Sequence, residues 1–192
     1  MISAVLDACV LYPVHLRNFL LGLGHDEAFL PFWTEEIQDE WIRNLLKKRP
    51  ELKENLERTY QRMSIKFPHS LVRGHDYLIP TLQLPDMKDR HVLAAAIHAK
   101  AKFIVTFNLD DFPKSVLEFH GIETLCPDDF VLRLIRQTPI LVVQAAIKHH
   151  SEFIRPPLSA NEYLAMLERQ GLSQTVAFLR EHEHPFDRID DV

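Results

Sequence analysis

The chain has little cysteine and glycine and no excess of basic residues. Its 192 residues include 2 cysteines, Cys9 and Cys126, and 5 glycines. Two cysteines far apart in the chain exclude a disulfide framework and a thiolate zinc site, so we expect a reducing, cytoplasmic setting. The 22 Lys and Arg against 27 Asp and Glu give a net charge of −5, which excludes a generally basic nucleic-acid coat.

Long hydrophobic runs are also missing. The apolar start at residues 1–6 meets Asp7 almost at once, without the basic start and long apolar stretch of a signal peptide. No segment approaches the roughly 18 unbroken apolar residues that a membrane span needs. With 46% hydrophobic residues, the composition predicts an ordinary globular domain with room for an appendage and no membrane partner.

Short apolar runs alternate with helical patterns over the first two thirds of the chain. Three runs predict strands, at residues 2–6, 103–106 and 121–125, and a fourth at 28–32 predicts a short strand or an extended segment. Between them, helix signals begin near Val14, after Thr34, at Pro50 and after Asp86. Strands separated by helices imply crossover connections, so the predicted fold is an α/β sandwich with a central parallel sheet.

From residue 139 onward the pattern is helical only. Ser159 and Glu162 form a capping box, and Ser173 is the expected cap of a last helix. We therefore expect two domains, residues 1–138 and a helical C-terminal extension over 139–192, which ends in an acidic tail at 187–191. The pattern leaves open whether the extension serves packing, dimerisation or partner binding.

Acidic and amide side chains follow two of the predicted strands. Asp7 ends the first strand, and Asn108, Asp110 and Asp111 follow the strand at 103–106. In a parallel sheet these positions share one edge, where ligands of open α/β sheets bind. Asp89 begins a helix, and the sequence does not decide whether it reaches that edge. Clustered carboxylates are ligands for hard cations such as Mg²⁺ or Mn²⁺, which serve phosphoryl transfer.

Four ordered blocks of sequence resemble the PIN domain, and more narrowly its VapC-type toxins. They are residues 5–13, 37–44, 86–96 and 105–113, and the resemblance covers about residues 1–135. It implies a three-layer sandwich around a central parallel sheet, and a metal-dependent endoribonuclease that uses Mg²⁺ or Mn²⁺. Carried over by position, Asp7, Glu40 and Asp89 are the first three catalytic, metal-binding acids.

The fourth position departs from the pattern of many PIN domains. Asn108 stands where they have an acid, and an Asn carbonyl can bind a cation without contributing a charge. Asp111 is the expected acidic substitute as catalytic residue and metal ligand, and Asp110 is the remaining candidate. The resemblance also places Thr106 beside the metal and makes Arg43 a phosphate contact, so we expect both to bind substrate.

The resemblance further implies the toxin of a toxin–antitoxin pair, dimeric and held inactive by a small DNA-binding antitoxin. Two alternatives come from other classes of protein. A haloacid-dehalogenase-like phosphatase needs a second Asp two residues after Asp7, where Cys9 stands, which argues against it. A catalytically weak scaffold that binds RNA or protein stays open because Asn108 removes a charge from the expected site.

Overall fold

The structure is a computed structural model that describes residues 1–182. The predicted acidic tail at 187–191 lies outside the described residues. Among the described residues, no helix is long and apolar enough to cross a membrane.

A parallel sheet forms the centre of the first part of the chain. In residues 1–182 its strands are β1 (Ser3–Leu6), β2 (Leu30–Phe32), β3 (Phe103–Val105) and β4 (Glu123–Leu125). Their order is β2-β1-β3-β4, and every pairing is parallel. Leu6 pairs with Val105, so β1 and β3 end side by side. The sheet confirms the predicted α/β fold with parallel strands.

Helices connect the strands and form most of the second part of the described chain. They are α1 (Ala8–Leu11), α2 (Val14–His25), α3 (Glu35–Lys48), α4 (Lys53–Lys66), α5 (Arg90–His98), α6 (Lys114–Leu117), α7 (Pro127–Ile135), α8 (Pro139–Ser151), α9 (Ala160–Arg169) and α10 (Ser173–Arg180). The short α1 was not predicted. The helix expected from Pro50 starts as a 3₁₀ turn and continues as α4.

Local sequence explains the position and orientation of α3. The Thr34 side chain accepts a hydrogen bond from the Ile37 amide, as the predicted N-cap should. Acidic residues in the first turn and lysines in the last turn complement the helix dipole. Ile37 and Trp41, one turn apart, are fully buried, so the face that carries Glu40 lies next to the core rather than opposite it.

Helix α5 packs on β1 and β3 with an unbroken buried segment. Residues 91–96 are all buried, and the small side chains of Ala94–Ala96 let the helix approach the sheet closely. The Asp86 side chain caps the preceding 3₁₀ turn by accepting from the Lys88 amide, whereas Asp89 makes no capping bond. This leaves the Asp89 carboxylate available for another role.

The chain divides into two compact units. The first consists of Met1–Tyr12 and Phe29–Cys126, and the second, within the described residues, of Pro13–Ala28 and residues 127–182. The division into residues 1–138 and 139–192 stays a prediction from the sequence. The structure groups α7 with the C-terminal helices because α7 packs against α8 and α10, and it adds α2, which packs against α8.

Capping in the second unit agrees with the sequence at one helix and differs at another. The capping box of Ser159 and Glu162 is present at α9. The expected cap of α10 by Ser173 was wrong, because Ser173 is the first residue of the helix and makes no capping bond. Instead the buried Asp128 carboxylate accepts from the Gln174 and Thr175 amides at 2.9 Å each. A cap from a distant residue cannot be found from local spacing.

Candidate metal-binding site

Asp7 lies at the carboxyl end of β1, where it joins the backbone of β3. Its amide donates to the Val105 carbonyl at 3.1 Å, which continues the ladder between the two strands. Its side chain is 7% exposed and accepts from the Ala8 amide through Oδ1 at 2.6 Å. Asp7 is therefore both the cap of α1 and a carboxylate held at the edge predicted for ligand binding.

Two side chains fix the second oxygen of Asp7. The fully buried Thr106 hydroxyl donates to Asp7 Oδ2 at 2.7 Å, and the Cys9 thiol donates to the same oxygen at 3.2 Å. Burial, and after it the charge of Asp7, raises the pKa of Cys9 to about 12, so the thiol stays a donor at neutral pH. The Thr106 hydroxyl orients Asp7, and its expected contact with substrate stays a prediction.

Glu40 is half-buried on α3 and interacts electrostatically with Asp7. Burial raises the pKa of Glu40, and the charge of Asp7 raises it further. The cations Arg43 and Lys88 oppose this effect, because nearby positive charges lower the pKa of the carboxyl. Arg43 is exposed, which is compatible with a contact to a ligand in solution.

Asp89 also belongs to this electrostatic cluster, which answers the question that the sequence left open. Burial raises the pKa of Asp89 to about 6, with further contributions from Asp7, Asp111, Asp86 and Glu40. Every one of these neighbours acts in the same direction, because like charges disfavour ionisation. The helix that carries Asp89 thus begins near the edge where Asp7 lies.

The polar residues of the loop after β3 differ in their exposure and in their contacts. The Asn108 side chain is exposed, and the backbone amide of Asn108 donates to the Thr106 hydroxyl at 3.0 Å. Asp111 is half-buried at the end of a 3₁₀ turn and acts on the pKa of Asp89. Asp110 is exposed and is not among the groups that shift Asp89.

The acids form a repelling cluster rather than a finished coordination sphere. In residues 1–182, no three His, Cys, Asp or Glu side chains are placed closely enough together to hold a metal ion. Mg²⁺ commonly binds through one or two carboxylates and keeps several waters, so it does not require a preassembled three-ligand site. The oxygen donors and their mutual repulsion fit a hard divalent cation, whose charge would relieve that repulsion.

Sequence reasoning missed two residues of this region. Cys9 was considered only as an argument against a phosphatase, yet its thiol supports Asp7. Tyr12, which directly follows α1, carries the Lys48 ammonium 5.4 Å from its ring centroid. In the sequence, Cys9 draws attention only because it stands two residues after Asp7. The contact between Tyr12 and Lys48 gives no signal in the sequence, because it joins two separate elements.

Comparison with known proteins agrees with this geometry. Residues 3–110 match the PIN domain family, and residues 127–181 match the family described as the VapC50 C-terminal domain. Over 83 residues the chain is 37% identical to "Putative ribonuclease VapC50" of Mycobacterium tuberculosis. The match covers 43% of this chain and 49% of that protein, so the chain spans about half the length of the curated relative.

No solved structure matches the chain. The PIN match covers more than half of the 192 residues, and the parallel sheet places Asp7 at the edge where the family resemblance requires an acid. The chain belongs to the PIN domain family and is a VapC-like member with a C-terminal extension.

Proposed function

We propose that the protein is a metal-dependent endoribonuclease and the toxin of a toxin–antitoxin pair. The observation that carries the proposal is the gathering of Asp7, Glu40, Asp89 and Asp111 into one electrostatic cluster at the carboxyl edge of the sheet. Membership of the PIN family and the ribonuclease named in the relative support RNA as the substrate. The small antitoxin partner, the homodimer and the cytoplasmic location remain predictions from the resemblance.

In this proposal the catalytic and metal-binding acids are Asp7, Glu40, Asp89 and Asp111. Asp111 rather than Asp110 takes the fourth acidic position, because Asp111 acts on Asp89. Asn108 adds a neutral oxygen donor. A Mg²⁺ or Mn²⁺ ion bound here supplies charge neutralisation at the scissile phosphate and lowers the pKa of the attacking water.

The residues of the chain contribute orientation and charge. Thr106 and Cys9 fix Asp7 Oδ2, so this carboxylate is held in one geometry before a ligand arrives. Burial and the neighbouring acids raise the pKa of Asp89, and a bound cation would oppose this effect because it favours the ionised carboxylate. Arg43 lies three residues after Glu40 on α3, and its exposed guanidinium supports the proposal that it contacts a phosphate of the RNA.

The test is cleavage of a pool of structured RNAs by the full chain with Mn²⁺. We expect cleavage by the wild type, none with EDTA, and a loss of at least about 100-fold in Asp89→Asn, because even outer-shell partners of a metal site typically cost 10–100-fold. Asp86→Asn is the matched control, since it makes the same chemical change three residues away and keeps a capping oxygen.

A folded wild type that leaves RNA intact with Mn²⁺ contradicts the nuclease and favours the binding scaffold. Asn108→Asp would then test the departure from the family pattern. Gain of cleavage in that variant would show that the missing charge at position 108 is what silences the site.

A further inference from the structure

A cleft in the first unit opens beside the acid cluster. Its volume is about 400 Å³, within the range of about 300–1,000 Å³ that is usual for small-molecule sites. The side chains that define it come from the α1 region and from α3, and they are Cys9, Tyr12, Glu40, Asn44, Lys47 and Lys48. A site of this size has room for one nucleotide.

One face of α3 gives the cleft a gradient of charge. Glu40, Asn44 and Lys48 are spaced four residues apart, so they lie one above another on the helix, and Lys47 lies beside them. The face runs from an acid through a neutral amide to two exposed cations. A chain with a net charge of −5 needs such a local group of cations to bind a polyanion.

The acidic end of the cleft coincides with the proposed catalytic site. Glu40 belongs to the acid cluster, and the Cys9 thiol donates to Asp7 Oδ2. A ligand in the cleft therefore lies next to the carboxylates at one end and next to Lys47 and Lys48 at the other.

Tyr12 supplies an aromatic surface within the cleft. Its half-buried ring has the Lys48 ammonium 5.4 Å from its centroid. An exposed cation–π contact of this kind is weak, and stacking of a base on an aromatic side chain is typically stronger. Lys48 can accordingly move from the ring to a phosphate, and the ring is then free to stack with the attached base.

We propose that this cleft binds one unpaired nucleotide of the substrate, next to the phosphodiester that is cleaved, with Tyr12 stacking on the base and Lys47 and Lys48 binding its outer phosphate. The inference rests on the proposed nuclease function and assigns the residues of this chain that hold the nucleotide beside the cleaved bond. Unpaired bases suit this role because they can be splayed out and stacked on aromatic rings.

The test measures the binding of a 5′-fluorescein-labelled hexauridylate to the full chain by fluorescence anisotropy. EDTA is present so that no RNA is cleaved. In K47A/K48A we expect affinity to fall about tenfold or more, and the slope of log affinity against log salt to fall by about 0.7, because the pair binds one phosphate. Tyr12→Ala should weaken binding by about tenfold with an unchanged salt slope, and Tyr12→Phe should restore it.

The matched control is K66A/K102A, which removes the same charge from two exposed lysines that do not line the cleft. We expect its affinity to stay within about twofold of the wild type. Thermal melting checks that each variant is folded, and the lysine pair keeps the test decisive if Tyr12→Ala unfolds. Equal losses in the control pair, or folded Tyr12→Ala with wild-type affinity, would overturn the proposal.

Cleavage with Mn²⁺ separates this inference from the nuclease proposal. If hexauridylate binds through Tyr12, Lys47 and Lys48 but no RNA is cut, the subsite stands and the nuclease fails. If RNA is cut and neither kcat nor KM changes in Tyr12→Ala and K47A/K48A, the nuclease stands and the subsite is overturned.

Discussion

Asp7 in the first unit and Asp128 in the second are a matched pair of buried aspartates. They are 7% and 6% exposed, and each accepts from a threonine hydroxyl at 2.7 Å. Asp7 also accepts from one backbone amide and Asp128 from two. Asp128 caps a helix and has its oxygens occupied by α10. Asp7 is surrounded by Glu40 and Asp89, whose pKa values its charge raises.

The difference shows how a structural carboxylate can be told from a functional one. Burial and hydrogen bonding are alike in the two aspartates, so neither property identifies a site. What distinguishes Asp7 is the surrounding negative charge, which costs stability in the folded protein and is relieved by a cation. The predictions below separate these two roles.

The largest expected effect on stability comes from loss of the Asp128 cap of α10. Asp128→Ala removes the acceptor of the Gln174 and Thr175 amides and of the Thr175 hydroxyl. Because buried donors lose a charged partner, we expect the free energy of unfolding to fall by about 3 kcal/mol, measured by urea denaturation. Asp128→Asn keeps one acceptor oxygen and should lose about half as much. A loss under about 0.5 kcal/mol in the alanine variant would contradict the capping role.

A smaller effect is expected from metal binding at Asp7. A saturating cation at a hundred times its Kd stabilises the wild type by about 2.7 kcal/mol, which a rise in Tm with Mn²⁺ reports. Asp7→Asn should remove most of that rise, because it replaces a charged oxygen of the site. Asp39→Asn, an exposed position next to Glu40, is the control and should keep it. The same Mn²⁺ response in both variants would mean that Asp7 holds no metal.

The smallest expected effect on stability comes from the repulsion between Asp89 and its acidic neighbours. The pKa of Asp89 lies at about 6 in the folded protein against an ordinary value of 3.8, so between these pH values the folded state binds more protons than the unfolded state. Stability therefore falls as pH rises through this window, and the penalty is fully present above about pH 6.

Removing that charge should stabilise the protein without metal. In EDTA at pH 7, we expect Asp89→Asn to raise the free energy of unfolding by about 1 kcal/mol, a value reduced for screening because the side chain is only half-buried. The gain should shrink as pH falls from about 6 to 3.8 and disappear by about pH 3, where the wild-type carboxyl is protonated in both states. A destabilised Asp89→Asn at pH 7 would show that Asp89 has a structural role like that of Asp128.

Much of the fold follows from local sequence. Thr34 and Asp86 were predictable as caps because their side chains bond to amides two or three residues away. The apolar runs predicted the positions of all four described strands, although β2 and β4 are shorter than expected. The shared edge of β1 and β3 followed from parallel pairing and is confirmed by the register of Leu6 with Val105.

Other features depended on contacts between distant segments. Asp128 caps α10 from 46 residues away at Gln174, and the Cys9 thiol lies 3.3 Å from the Thr106 hydroxyl across 97 residues of chain. Pro13–Ala28 joins the C-terminal unit although it follows α1 directly. None of these contacts leaves a period or a spacing in the sequence.

By itself, the sequence determined the alternation of strands and helices, the helix caps that bond to amides two or three residues away, and the family to which the chain belongs. The tertiary structure decided that Asp89 lies within electrostatic range of Asp7, that Asp111 rather than Asp110 acts on it, and that Tyr12 and Lys48 face one cleft. The physical reason is range. Periodicity and capping report interactions within a few residues, whereas charge repulsion and stacking act through space between segments that only the folded chain brings together.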